Sequence, residues 1–317
     1  MNDSIDGLLI ELYRGSREVG WRQFQDWALD LLQTRLRFDS AWWGKGSYHA
    51  GYVHHLHLYR CRPEIVEDYR RWVDHDFMRA AVMSRPGVSV NLSDVMSREE
   101  FIRTPVYRHF CQPHSIEWSL ATVSMVDEKA GLLQWISLRR SDPGQPFTEA
   151  ERQLKQRLVP HLIEAERGCR QYFLRESGAR LRGRPWGLCD AHGQLHEIGP
   201  QFVDTLRREW PDWSGPELPA PLFDALRAGR PYDGENIVID TESVNGLYCL
   251  FARSRTAIDS LSPRERQVAG RYARGEDHAR IASSLGVSPV TVRNQIQSVY
   301  RKLGINNKAE LATRLSV

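Results

Sequence analysis

The chain runs to 317 residues, 26% of them charged, with 43 Lys and Arg nearly balanced by 40 Asp and Glu for a net charge of +3. A chain of that length holds two or three domains with substantial cores. No stretch reaches the roughly 20 apolar residues of a membrane-spanning helix, and the acidic opening MNDSIDGLLIELYRG lacks the positive flank of a signal peptide, so a cytoplasmic protein without a membrane partner is expected.

Residues 1 to about 40 read as helical, because Trp21, Phe24, Trp27, Ala28, Leu31, Leu32 and Leu36 recur at spacings of three and four. FDSAWWGKGS then reads as a strand ending at its glycines, and GYVHHLHLYR as a second strand with Val53, His55 and His57 on one face. Two same-face histidines near Cys61 invite a metal reading. No second ligand pair stands at the spacing a zinc site uses, so no metal is expected, and no motif asks for a cofactor. The five cysteines (Cys61, Cys111, Cys169, Cys189, Cys249) are scattered without a C-x-x-C and read as free thiols.

A helix is expected over 63–85. Asn91 or Ser93 opens a turn, and REEFIRTPVYRHF reads as a helix broken near Pro105. SLATVSMVDEKAG and LLQWISLRR form a β-hairpin. The long run PFTEAERQLKQRLVPHLIEAERGCRQYFLRE follows. Thr148 and Glu151 give it a capping box, and Pro160 is expected to kink it. Its stripe Leu154, Leu158, Leu162, Ala165, Cys169, Tyr172 suits either its own sheet or a partner helix, with neither favoured.

RESGARLRGRP is a basic linker. Beyond it WGLCDAHGQLHEI turns at 191–193, a helix follows, PDWSGPELPAPLF reads as a surface connection, and ENIVIDTESVNGLYCLFARS forms a hairpin turning near Asn245 and Gly246. Two strands, a helix and two strands make a small α+β module over 185–255.

The last stretch, 261–317, is the most informative. Ser262 with Glu265 is a capping box with Pro263 at the first helical position, and Gly275 closes that helix. Asp277 to Leu285 is a short helix ended by Gly286. Ser288 and Pro289 open a third that runs to Gly304, and Asn307 with Glu310 opens a fourth. Helix, tight turn, helix is the helix-turn-helix arrangement. On the third helix Val292, Ile296, Val299 and Leu303 make one narrow apolar stripe. The opposite face carries Val290, Asn294, Gln297, Ser298 and Arg301, flanked by Thr291 and Arg293, with no acid on the helix. Arginine pairs bidentately with guanine, and Asn or Gln with adenine, while Ser288 and Thr291 near the positive helix end suit phosphate oxygens. The segment holds ten basic residues against four acids, a net charge of +6, which leaves the rest of the chain at −3. A basic module on a mildly acidic body is the electrostatic footprint of DNA binding.

LSPRERQV, IASSLGVS, TVRNQIQSVYRKLGI and NKAEL together resemble the LuxR-type helix-turn-helix domain, which implies that Arg293, Asn294 and Gln297 face the bases and that the closing helix pairs two subunits. Arg293 stands where Lys is usual, Gln295 where His is usual, and GEDHARIA puts Glu276 and Asp277 beside the scaffold helix. FDSAWWGKG, TPVYRHFCQPHSIEWSL and PFTEAERQLKQRLVPHL resemble the GAF-like sensor domains that precede some such domains. That resemblance implies a concave pocket on one side of the sheet, for which Trp42, Trp43, Tyr52, Tyr69, Trp72 and Trp118 are the candidate aromatic lining. The middle module resembles a reduced PAS-type unit. The expected architecture is multidomain: an α+β GAF-like sensor (1–173), a small α+β PAS-like module (185–255) and an all-α four-helix LuxR-type helix-turn-helix domain (261–317). The expected partners are double-stranded DNA, a second copy of the chain and a small-molecule effector.

No G-x-x-x-x-G-K-[ST], G-x-S-x-G or H-E-x-x-H occurs, and the chain opens on a helix rather than the strand and paired acids of a phospho-receiver. The expected function is a non-enzymatic, signal-controlled transcription regulator. Two readings compete with it: an acyl-homoserine-lactone receptor, against which Asp76-Phe77 stands where that family usually shows Asp-Pro, and an enzyme or signalling module with a basic tail.

Overall fold

The computed structural model describes residues 5–47, 53–176, 183–244 and 246–315. They fall into two units, one of residues 1–232 with 239–252 and one of residues 233–238 with 253–317.

The first sheet is five-stranded and antiparallel, in the order β2-β1-β5-β4-β3. Its strands are β1 (Ser40–Ser47), β2 (Val53–Tyr59), β3 (Val90–Asn91), β4 (Trp118–Asp127) and β5 (Leu132–Arg140). The register sets Trp42 opposite Leu58 and Ser137, Trp43 opposite His57 and Ile136, and Ser119 opposite Arg139. Since side chains alternate along a strand, Trp42, Ser137, Arg139, Ser119 and Ala121 share one face, and Trp43, Ile136, Leu138 and Thr122 the other. The second face is covered by α1 (Ile5–Glu18), α2 (Phe24–Gln33) and the long α6 (Glu149–Glu176). Trp43, Phe24, Leu12, Leu29 and Leu138 are completely enclosed there, and each contributes roughly 1.5–3 kcal/mol of apolar burial. The short helices α3 (Ile65–Arg70), α4 (Phe77–Met83) and α5 (Arg98–Phe101), with a π turn over Tyr107–Cys111, follow β2 and β3.

Several expectations change at this level. β1 continues through its glycines. The Trp135 indole lies across Gly44, and a Cβ there would come within 2.1 Å of the ring. The expected helix over 63–85 divides into α3, a single 3-10 turn over Val73–His75 and α4. The break falls at Asp76, whose extended backbone and carboxylate cap α4 by accepting from the Arg79 N–H at 3.0 Å. α6 begins with its Thr148–Glu151 box and is a single helix that includes Pro160, with Leu158, Val159, Leu162 and Ala165 buried on either side of it. Those residues with Cys169 belong to the core with α1 and α2, so the stripe packs within the chain and leaves only Tyr172 exposed. His55 approaches Gln25 at 3.4 Å and His57 meets Asp26 at 2.9 Å. Among the described residues no cluster of His, Cys, Asp and Glu could hold a metal.

The second sheet, in the order β7-β6-β10-β9-β8, comprises β6 (Trp186–Cys189), β7 (Leu195–Ile198), β8 (Tyr232–Asp233), β9 (Ile237–Val244) and β10 (Leu247–Ser254). Asp190 holds the expected turn through the N–H groups of His192 and Gln194. Asn245 lies outside the described residues. One helix was expected between the strand pairs and two are present, α7 (Phe202–Leu206) and α8 (Ala220–Arg227). The Pro-rich connection ends where α8 begins: Pro219 stands at its N-terminal boundary and Pro221 within its first turn, positions where a missing N–H costs nothing.

The C-terminal helices are α9 (Pro263–Ala273), α10 (His278–Leu285), α11 (Pro289–Leu303) and α12 (Lys308–Leu315). Val268, Ile281, Ala282, Val292 and Ile296 form one apolar cluster, and Leu261, Ala269, Val299, Leu303, Ile305 and Leu311 another.

Candidate nucleic-acid interface and ligand cavity

The helix caps in the C-terminal segment are local and specific. Ser262 and Glu265 exchange hydrogen bonds at 3.2 and 2.7 Å, and Asp277 accepts from the Arg280 N–H at 2.7 Å. Gly286 and Gly304 stand at φ of 64° and 62°, a left-handed conformation that L side chains adopt only with strain. Ser288 caps α11 by accepting from the Thr291 N–H at 3.1 Å.

Those caps fix the rotation of α11. Val292, Ile296, Val299 and Leu303 are buried, while Ser288, Thr291, Arg293, Asn294, Gln297 and Arg301 are exposed. Val290 is 64% exposed among them, an apolar residue of the kind that meets a thymine methyl. Many of the segment's cations are tied into the scaffold. Arg264 donates to the Leu285 carbonyl, Arg266 to the Leu261 and Asp259 carbonyls, and Arg271 to Glu276. Lys302 pairs with Glu265 at 2.7 Å. Among the described residues, Arg293, Asn294, Gln297 and Arg301 have no side-chain partner. Ser298 differs from expectation: its hydroxyl donates to Glu265 at 2.9 Å and belongs to the scaffold. The Ser288 and Thr291 hydroxyls bond one another at 2.9 Å. The acids beside the scaffold helix are occupied, Glu276 by Arg271 and Asp277 as a cap.

Glu265 is the hub of this arrangement. Its carboxylate takes the Lys302 ammonium, the Ser262 N–H and the Ser298 hydroxyl. These bonds, that from Lys302 foremost, hold its pKa down to about 2. One carboxylate thereby ties the start of α9 to the C-terminal half of α11.

The other site is a cavity of about 500 Å³ on the Trp42 face of the first sheet, within the range of small-molecule sites. Leu56, Val66, Val82, Phe110, Val123 and Leu133 give it apolar walls. Of the candidate aromatics, Trp42 and Tyr69 line it, their rings edge to face with centroids 5.0 Å apart. Trp43 points to the opposite face of β1 and is fully enclosed among helices, as its neighbour's orientation requires. Trp118 is buried with its indole N–H on the Pro143 carbonyl at 3.1 Å, and Trp72 stacks on His109; neither reaches the cavity. Tyr52 lies outside the described residues.

Two polar features of the cavity escaped the sequence reading. Asp76 accepts from the Tyr69 hydroxyl at 2.7 Å, and burial, with Asp76 next, pushes the Tyr69 pKa well up. Arg139 is only 6% exposed and stacks over Trp42 with its guanidinium carbon 3.7 Å from the ring centroid. Its pairing with Ser119 across the hairpin was the available signal, since it puts Arg139 on the same face as Trp42 and Ser137. Cys111, also on the cavity wall, is pushed up to about 12 by burial. All five cysteines are free thiols.

Four capped helices with an outward polar and cationic third helix define a helix-turn-helix domain of the LuxR type. Residues 259–315 match the family described as bacterial regulatory proteins, luxR family. The chain is 46% identical over 57 residues to the transcriptional regulatory protein UhpA of Escherichia coli K12, a match covering 18% of this chain and 29% of the relative. It is 45% identical over 49 residues to the probable transcriptional regulatory protein NarL of Mycobacterium tuberculosis H37Rv, covering 16% and 23%. The chain thus spans under a third of the length of these curated relatives. Among solved structures, SdiA in complex with octanoyl-rac-glycerol aligns over 98% of this chain and 95% of its own, at 14% identity and a TM-score of 0.40. The LBD domain of VqsR from Pseudomonas aeruginosa aligns over 53% of this chain and 96% of its own, at 16% identity and a TM-score of 0.38. Among the described residues no helix is long and apolar enough to cross a membrane.

Proposed function

We propose that the chain is a sequence-specific, DNA-binding transcription regulator controlled by a small molecule held in the cavity of its first α+β domain. The observation that carries this reading is the outer face of α11, where Arg293, Asn294, Gln297 and Arg301 are exposed and unpaired while every apolar residue of the stripe is buried. Asn294, Gln297 and Arg293 read base edges, and Arg301 with the Ser288–Thr291 end contacts phosphates. The division into a GAF-like sensor over 1–173, a PAS-like module over 185–255 and the DNA-binding domain over 261–317 belongs to the same proposal.

The regulator acts as a homodimer through α12, whose only buried residue is Leu311. Two recognition helices must lie about 34 Å apart to meet successive major grooves, and an effector acts by favouring one spacing through its differential affinity. The test is selection of bound duplexes from a random pool. Asn294→Ala and Gln297→Ala each relax preference at one base pair, while Arg301→Ala weakens all sequences alike. Equal losses on selected and random duplex for all three variants contradict these roles.

Asp76 and Tyr69 in an apolar cavity also suit a neutral amide ligand, which keeps the acyl-homoserine-lactone reading as the alternative. Thermal stabilisation by submicromolar lactone would decide for it.

A further inference from the structure

We propose that the cavity ligand is an amphipathic anion, a carboxylate on an apolar body, with its head group on Arg139. This rests on the reading of the cavity as an effector site and adds the class of effector.

A guanidinium cannot lose its charge inside a protein, so a buried arginine needs an acid or a set of carbonyl acceptors. Arg139 has neither. Its Nη1 is enclosed without an acceptor, and among the described residues no carboxylate or carbonyl meets its side chain. Its neighbour on β5, Arg140, shows what a structural arginine looks like here. Arg140 donates to the Arg37 and Pro146 carbonyls and pairs with Glu151 at 2.6 Å.

The acid on the cavity wall does not serve Arg139. One Asp76 oxygen accepts from the Arg79 N–H and the other from the Tyr69 hydroxyl. Trp42 adds a second idle donor, because its Nε1 is buried without a partner beneath the guanidinium. The Ser119 and Ser137 side chains stand on the same sheet face. Of the other cations on the lining, Arg70 is taken by Glu67 at 2.9 Å.

Arg139, Ser119 and Ser137 therefore share one sheet face of a cavity otherwise walled mainly by apolar side chains, its acid is already engaged, and what Arg139 lacks is an acceptor carrying negative charge. A carboxylate supplies two acceptor oxygens in the fork geometry of a guanidinium, and an acyl or aryl body fills the space among Leu56, Val82, Phe110 and Leu133. A neutral lactone or alcohol leaves the buried charge uncompensated.

The experiment titrates the purified full-length chain, stripped of bound lipid, with decanoate, decan-1-ol and N-decanoyl-homoserine lactone, by calorimetry at pH 7.5. Decanoate is expected to bind about 10- to 100-fold more tightly than either neutral probe, the ratio a charged hydrogen bond supports. Arg139→Met is expected to abolish that difference. It is also expected to leave the melting temperature of the ligand-free chain unchanged or raised, since it removes an uncompensated buried charge, whereas loss of a structural arginine would lower it. Neutral probes binding as tightly as decanoate overturn the anion assignment and leave the cavity reading standing. Binding of none of the three up to millimolar concentration overturns both. The wild-type comparison decides the matter even if the variant does not fold.

Discussion

Glu265→Ala removes three bonds at one position and isolates what holds α11 to α9. The bond it takes from the Ser262 N–H is worth about 0.5–1 kcal/mol, the reciprocal bond from the backbone of residue 265 to Ser262 being kept. The Lys302 side chain is 36% exposed, which limits that pair to roughly 0.5–1 kcal/mol. The bond from the partly buried Ser298 hydroxyl adds about 0.5 kcal/mol. The expected loss is therefore about 2 kcal/mol, or roughly 30-fold in the local opening equilibrium. Hydrogen–deuterium exchange of the full chain reads it directly: amides across residues 289–303 lose protection by that factor while those of the first sheet do not change. The same carboxylate predicts a pH dependence. Its folded pKa of about 2 lies below the ordinary 4.5, so between those values the unfolded chain binds the proton more readily, and the stabilisation, complete above about pH 4.5, is lost as pH falls toward 2. The alanine variant lacks that dependence. Protection of α11 unchanged within twofold would refute the assignment of Glu265 as the tie between the two helices.

Other expectations follow from particular contacts. Ile296→Asp puts an unpaired charge into the cluster of Val268, Ile281 and Val292 and should abolish DNA binding while sparing the first domain, as exchange of the two regions would show. Gly44→Ala drives a Cβ to 2.1 Å from Trp135, so the indole must move; a destabilisation of about 1–3 kcal/mol in urea is expected. Lys155 is fully buried, its Nζ on Thr122 Oγ1 at 2.5 Å and the Ile136 carbonyl at 2.9 Å, and burial pulls its pKa well below 10.5. The unfolded chain then binds more protons than the folded one below pH 10.5, so stability rises with pH toward that value. Lys155→Met should be neutral or stabilising by up to about 2 kcal/mol, with the gain shrinking as pH rises from 7 to 10.

The C-terminal domain was legible because its determinants are local. Ser262, Asp277, Ser288, Gly286 and Gly304 each act within one turn of their own helix, and a single periodicity orients α11. The exception is Ser298, on the polar side of the wheel yet taken by Glu265 thirty-three residues away. The first sheet and the helices on it were harder because pairing across strands decides their interior. Trp42 and Trp43 are equivalent in composition, and only the register with β5 sends one to the cavity and the other to the helices. Nothing in the pattern of LLQWISLRR separates Arg139 from Arg140, although both are buried, one with partners and one without. Asp76 broke the expected helix because a capping carboxylate inside a charged stretch looks like any other acid. α8 was hidden by the prolines at its own start.

The central claim is that α11 meets a duplex with its guanidinium groups. The salt dependence of affinity for a selected duplex tests it most directly. A dimer bringing Arg301 of both copies to phosphates should show log K falling against log salt with a slope of about −1.8 from this pair, at about −0.9 per neutralised phosphate. Substituting Arg301 by alanine should flatten the slope by about that amount. Affinity indifferent to salt, or a slope the substitution leaves unchanged, would contradict the account.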